Sequence, residues 1–235
     1  MMNEQSVNGC HALIISPHPD DADLGIGGTV AAWTGEGKKV IYIICTSGEK
    51  GTDNPKMEPM SLARMREKEQ VTAAEKLGVM DVVFLHYQDQ MLEDTPTFRK
   101  DLVTIIRTYR PAIVATTDPQ YPVIWHRDHR ITGQVVLDAV YPYSRKRLAY
   151  PDLIHQGLEP FKVTEVLLWN TAQPDYYSDI TATYNDKLAA LKCHNSQFGY
   201  PDNNWVTSLR ERHREIAEER ESRLFEPLRR IQIYW

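Results

Sequence analysis

Residues 16–28 read Ser-Pro-His-Pro-Asp-Asp-Ala-Asp-Leu-Gly-Ile-Gly-Gly, directly behind the apolar run Ala12-Leu13-Ile14-Ile15. One imidazole, His18, and three carboxylates, Asp20, Asp21 and Asp23, crowd what reads as the end of a buried strand. Mutual repulsion and desolvation of these acids both cost stability, so the pattern calls for a compensating cation. A neutral imidazole and a carboxylate three residues apart, as in His18 and Asp21, can close on one divalent metal. A plainer reading has one of the acids capping the helix that follows; a cap needs one acid, and three are present. A second cluster, Trp125-His126-Arg127-Asp128-His129, places two imidazoles at i,i+3, on one face of any helix that starts there. Together the segments offer two histidines and one carboxylate to a metal with a position left for water. Asp20 beside that water suits a general base, and His126 across from it suits an acid or an oxyanion stabiliser.

The elements that would carry these clusters alternate. Strands are predicted at 11–16, 39–46, 81–87, 112–117 and 165–169, the first four continuously apolar or β-branched. Helices are predicted at 25–36, 59–77 with Gly78 as its stop, 96–109 between Pro96 and Pro111, 127–140, 183–194 and 205–224. Residues 141–162, with three prolines and the basic run Arg145-Lys146-Arg147, read as a loop. The fold class expected is α/β, a Rossmann-like three-layer sandwich with a mostly parallel sheet covered on both faces, as one domain over residues 1–235. Ligands of such sheets sit at the carboxyl ends of the strands, where both clusters fall.

Composition narrows the partners. The 235 residues carry a formal net charge of −5, which disfavours nucleic acid or an anionic membrane as partner. Three scattered cysteines, Cys10, Cys45 and Cys193, give no disulfide framework and point to a reducing compartment. The opening MMNEQSVNG lacks a basic n-region, and the apolar run after it is too short for a membrane span, so a soluble, cytoplasmic protein is expected. The charge-dense stretch 210–223 reads as a solvated helix face.

On the residues already quoted, the chain resembles the LmbE-like, or PIG-L, family of zinc-dependent N-acetylglucosamine deacetylases. SPHPDDADLGIGG is similar to the family's opening signature, and WHRDH to its second motif, usually His-Pro-Asp-His. Weaker echoes are CTSGEKGT at 45–52, Arg66 through Glu69 leading to Leu77-Gly78, and Lys187 through His194-Asn195-Ser196-Gln197. The resemblance implies one catalytic Zn2+ per chain, other divalent metals being possible, held by His18, Asp21 and His129. It implies Asp20 as general base, His126 as oxyanion stabiliser and aid to the leaving amine, and Asp128 as the residue that orients His126. Arg66 would contact substrate, and His194 would sit near the pocket mouth. Arg127 departs from the family's usual proline. The substrate implied is a small N-acetylated amino sugar or its conjugate, and relatives often form trimers or hexamers, so a homo-oligomer is expected.

Other chemistries fit parts of the pattern. Gly25-x-Gly27-Gly28 between strand and helix looks like a dinucleotide loop, but its spacing is not GxGxxG and carboxylates precede it where a pyrophosphate would lie. Two histidines and a carboxylate also ligate non-haem iron in oxygenases. A metal-dependent sugar binder without turnover would use the same ligands but leave Asp20 and His126 without a purpose. Around the clusters, the loop 47–51 and the rings of Tyr121 and Trp125 are candidates for facing a sugar, while His86 reads as structural.

Overall fold

The structure, a computed structural model, describes residues 9–123, 125–199, 206–209, 211 and 223–234. Seven strands form one sheet: β1 (Ala12–Ser16), β2 (Val40–Thr46), β3 (Asp81–Tyr87), β4 (Ile113–Thr117), β5 (Glu165–Trp169), β6 (Tyr176–Asp179) and β7 (Phe225–Gln232). Their order is β3-β2-β1-β4-β5-β7-β6. β1 to β5 run parallel, and β7 pairs antiparallel with both β5 and β6. The helices are α1 (Asp21–Gly35), α2 (Pro59–Lys76), α3 (Pro96–Tyr109), α4 (Arg127–Asp138), α5 (Pro151–His155), α6 (Tyr184–Leu191) and α7 (Asn195–Phe198). This is the expected α/β class, with the antiparallel strands added at one edge.

Strand periodicity builds the two cores. Successive side chains of a strand point to opposite faces. Leu13, Ile15, Ile41 and Ile43 therefore pack with Phe98, Leu102 and Ile106 of α3 and Val135 and Val136 of α4. Ala12, Ile14, Tyr42 and Ile44 pack with Ala22, Ile26 and Val30 of α1 and Ala73 and Ala74 of α2 on the other face. Burying each such aliphatic side chain contributes about 1.5–3 kcal/mol. Connections from β1 lead towards β2 and β3, and those from β4 towards β5. The switch point lies between β1 and β4, the place where open α/β sheets bind ligands.

Several boundaries differ from the sequence reading. α1 begins at Asp21 and not at residue 25, so two of the crowded acids, Asp21 and Asp23, occupy its first turn. Negative charge is favoured there by the helix dipole, an effect that a run of small and glycine residues hides from periodicity. The chain kinks after α4 at Tyr141, whose backbone is extended at φ −146° and ψ 125°, and α5 interrupts the expected loop. β6 and β7 were not anticipated: YYSD is short and polar, and FEPLRRIQ carries a proline and three charges. The helix expected over 205–224 lies largely outside the described residues. No helix among the described residues is long and apolar enough to cross a membrane.

Two glycines of α1, Gly25 and Gly28, serve close packing. A Cβ on Gly25 would overlap the indole of Trp169 at the end of β5, so the helix can lie this near the sheet only with glycine there. The same helix is tied to β7 by a buried ion pair. Glu226 Oε1 accepts from Lys187 Nζ at 2.5 Å and from the Gly28 amide at 2.9 Å, and Oε2 accepts from the Thr29 amide at 2.8 Å. Lys187 Nζ also donates to the Leu24 carbonyl at 2.7 Å. Both charged side chains are 1% exposed. Removing one partner of such a pair strands a buried charge, at a cost of about 3–5 kcal/mol. Lys187→Met is expected to lower unfolding stability by roughly that amount; an unchanged urea midpoint would contradict the pairing.

Candidate functional site

His18 follows β1 and His126 and His129 open α4 after β4, so the switch point brings the two sequence clusters together. The rings of His18 and His126 lie 4.7 Å apart between centroids, those of His18 and His129 5.2 Å, and those of His126 and His129 5.3 Å. Donor atoms of these three histidines all fall within 4.8 Å of one another, as do those of His18, Asp89 and Asp128. Asp21 joins the group through one oxygen. Its Oδ2 lies 2.9 Å from His18 Nδ1 and 3.2 Å from His129 Nε2, and the His18 amide donates to it at 3.2 Å.

Those spacings suit a shared cation. Tetrahedral bonds of metal to nitrogen and oxygen place neighbouring donor atoms roughly 3.3 Å apart. The Asp21 oxygen stands 2.9 Å from an imidazole nitrogen of His18 and 3.2 Å from one of His129, near that separation, so these three residues could share a divalent metal. Electrostatics points the same way. Burial alone would depress the His18 pKa, but contacts with Asp128, Asp21 and Asp89 overcome it and raise it well above the usual value. Burial opposes the charge on Asp21, yet His129 and His18 hold its carboxyl well below the usual range. The acids demand positive charge at this point.

Asp20 stands next to this group on the N-cap of α1, with φ 84° and ψ −32°. A non-glycine residue rarely adopts such a backbone, which costs about 1–3 kcal/mol and persists only where surroundings over-determine it. Burial and the neighbouring Asp21 charge push its carboxyl up to about 6 against the pull of Arg66. Arg66 on α2 lies 3.1 Å from Asp20 Oδ2 and donates to the carbonyls of Pro19 at 2.9 Å and Gly48 at 2.8 Å. Gly48, at φ 64°, leaves the room the guanidinium needs. Arg66 is thus buried and bonded to three acceptors of the protein itself through three of its five N–H donors, Nε being without a hydrogen-bond partner among the described residues.

His126 is half-buried. Burial and then its two histidine neighbours lower its pKa. Its Nδ1 accepts from the Asp128 amide at 3.3 Å, which leaves the proton of the neutral ring on Nε2. The carboxylate of Asp128 does not orient His126 as expected. It is turned to His18 Nε2 at 3.2 Å and to the amides of Gln90 at 2.7 Å and Leu92 at 3.3 Å, because those donors surround it in the core. Any orienting of His126 by Asp128 runs through the main chain.

His194 is not near a pocket mouth. It is fully buried, with Nε2 2.7 Å from Asp23 Oδ2. Asp23, carried inward by the first turn of α1, needs such partners, and Tyr42 and Gln70 supply others. Three contributors escaped the sequence reading: Asp89, Gln70 and Tyr42. Asp89 lies 3.2 Å from His18 Nε2 and is gripped by the loop after β2, the Lys50 amide donating to it at 2.9 Å. Its position two residues beyond β3, on the functional edge, was the available signal. His86 is exposed and 3.3 Å from Glu67, away from the histidine cluster, whereas Trp125 is exposed beside it in sequence. Ser196 of the late segment caps Glu69 of α2 at 2.6 Å, and Gln197 donates to the Gly51 carbonyl at 3.1 Å, so that segment braces the loop and helix around the site.

The chain is similar to several known proteins. Residues 13–140 match the family model described as PIG-L, GlcNAc-PI de-N-acetylase. A diacetylchitobiose deacetylase of Thermococcus kodakarensis is 38% identical over 193 residues, covering 82% of this chain and 71% of that protein. A probable N-acetyl-alpha-D-glucosaminyl L-malate deacetylase 2 of Bacillus cereus is 31% identical over 192 residues, covering 80% of this chain and 83% of that protein. Among solved structures, the N,N'-diacetylchitobiose deacetylase from Pyrococcus horikoshii superposes with a TM-score of 0.89 at 33% identity, over 96% of this chain and 85% of that one. With more than half of its length matched by one family model, and with its histidines and acids gathered where β1 and β4 part, the chain belongs to the PIG-L, or LmbE-like, family.

Proposed function

We propose that this chain is a zinc-dependent N-deacetylase, which hydrolyses the acetamide of an N-acetylglucosamine-type sugar or its conjugate. The observation that carries the reading is the single Asp21 oxygen shared by His18 and His129, with the strained Asp20 carboxylate directly adjacent. The names of the relatives support the substrate class: diacetylchitobiose for one, glucosaminyl malate for another. His18, Asp21 and His129 would hold the ion. Bound there, zinc would polarise the acetyl carbonyl and bring water towards a pKa of about 7.

This chain's residues supply the rest. Asp20 takes a proton from the attacking water, a task suited to a carboxylate whose pKa stands near working pH. Arg66 holds that carboxylate in place from behind while bonding to the turn that carries it. His126, neutral with its proton on Nε2, donates to the oxygen that gains charge in the tetrahedral intermediate. The nitrogen accepts the proton that Asp20 took from water, with His126 assisting the leaving amine, its bond to the acetyl carbon breaks, and acetate and the free amine leave. Asp89 and Asp128 keep His18 oriented through its far nitrogen, as partners of a ligating imidazole commonly do. The nicotinamide reading loses its footing because Gly25 is used against Trp169 and acids line the start of α1.

The decisive assay is acetate release from a panel of N-acetylated glucosamine compounds by zinc-loaded protein. Chelator-sensitive release is expected. No release from any member, with zinc shown to be bound, would overturn the reading. Asp20→Asn should retain the metal and lose roughly 10²–10⁴-fold in turnover, the usual weight of a general base. Zinc itself should raise the melting temperature of chelator-treated protein. The gain is about 2.7 kcal/mol at a hundredfold excess over Kd, and His129→Ala should abolish most of it. An identical zinc-induced shift in that variant would remove His129 from the ligand set.

A further inference from the structure

Gln70 has no part in the chemistry above, yet it is fully buried and bonded to two acids at once. Its Oε1 accepts from the Asp20 amide at 2.8 Å, and its Nε2 donates to Asp23 Oδ2 at 2.9 Å. A main-chain N–H can only donate and a carboxylate can only accept, so the Gln70 amide has one workable orientation. Asp23 is itself pinned, accepting from the Tyr42 hydroxyl at 3.1 Å on Oδ1 and facing His194 Nε2 at 2.7 Å on Oδ2. Asp23 and His194 are both without exposure to solvent. The ring of Tyr42 belongs to the apolar core, but the polar groups of Gln70, Asp23 and His194 do not fill one, and their burial costs desolvation that mutual bonding offsets.

The geometry points to Gln70 as a positioning residue for Asp20: by holding the Asp20 amide it keeps the strained turn at φ 84° and so aims the carboxylate. The buried Asp23, His194 and Tyr42 fix the Gln70 amide in the orientation this requires. The inference rests on Asp20 serving as base in the proposed deacetylation. Asp20 makes no side-chain cap to its own helix: locally its carbonyl accepts from the Leu24 amide at 2.9 Å, while its own amide is held from α2 by Gln70. The grip comes from α2, where Arg66 and Gln70 stand four residues apart on one face and hold the same turn from two sides. Released from Gln70, the turn can relax towards ordinary φ values and swing the carboxylate. A misplacement of about 1 Å costs on the order of 10²-fold in rate.

The test uses the full-length, zinc-loaded chain and a substrate that the wild type deacetylates. Gln70→Met keeps the volume and removes both bonds. The expected result is a fall in kcat of about tenfold to a hundredfold, with KM and zinc content unchanged. Gln70→Glu alone sets two carboxylates face to face and should also be slow. Combined with Asp23→Asn, it exchanges donor and acceptor: the new carboxylate at position 70 accepts from both the Asp20 amide and the new amide at position 23, whose second N–H is accepted by His194 Nε2 in the tautomer protonated at Nδ1. That pair should recover most of the kcat lost by Gln70→Glu. A merely structural role would lower melting temperature and leave kcat of the folded, zinc-loaded enzyme untouched, and that outcome overturns the inference. Should Gln70→Met fail to fold, equal kcat for Gln70→Glu and the exchanged pair overturns it as well. Wild-type protein that deacetylates nothing fails the functional reading first, and with it the base that Gln70 would position.

Discussion

Negative charge concentrated at the end of β1 is the constraint around which this molecule is organised. Three carboxylates, those of Asp21, Asp89 and Asp128, meet the His18 imidazole at the switch point of the sheet, and Asp20 and Asp23 flank Asp21 at the start of α1, paired with Arg66 and His194. A buried carboxylate without a partner costs several kcal/mol, so each must be matched. The matches come from different parts of the chain. His18 and His129 share Asp21, Arg66 answers Asp20, main-chain amides answer Asp128 and Asp89, and Tyr42, Gln70 and His194 surround Asp23. A divalent cation held by the central group would add the positive charge that completes the balance.

This division of labour explains why α2 and the segment at 187–197 matter to a site that they do not supply with metal ligands. α2 presents Arg66 and Gln70 to the turn after β1 and Glu69 to Ser196. Lys187 reaches through to Glu226, fastening α1 to β7 from beneath. α1 lies close enough to the sheet for these contacts because Gly25 offers no side chain to Trp169. The active geometry is therefore held by the scaffold, in the manner of sites whose groups must be preorganised before substrate arrives.

Position on an α/β sheet says where a ligand binds and not what is done to it. The reaction class comes from the donor set and from the acid that stands beside it. In the proposed reading, an Asp with a carboxyl raised to about 6, a neutral histidine with an available N–H and a three-donor group able to take a metal would form a hydrolytic arrangement. A nucleotide-binding strand-to-helix turn needs open amides facing a phosphate; here Asp21 and Asp23 fill the first turn of α1.

Much of this was readable in the residues. Four continuous apolar strands alternating with helices specify a parallel sheet, because such strands must be covered on both faces. The parallel sheet in turn places the segments after the first and fourth strands on one edge. Local spacing then identified His18, Asp21, His126 and His129 as neighbours. Three things were decided only by tertiary structure. The direction of the Asp128 carboxylate depends on amides of residues 90 and 92, which belong to a loop far away in sequence. The burial of His194 depends on Asp23 being turned inward by a helix that starts four residues earlier than its small residues suggest. The two antiparallel strands depend on pairing that supplies what their own polar sequences lack. Short-range pattern records which residue types sit side by side along the chain. It carries no record of which distant donor will meet a buried acceptor, and that is settled only when the sheet and its helices close.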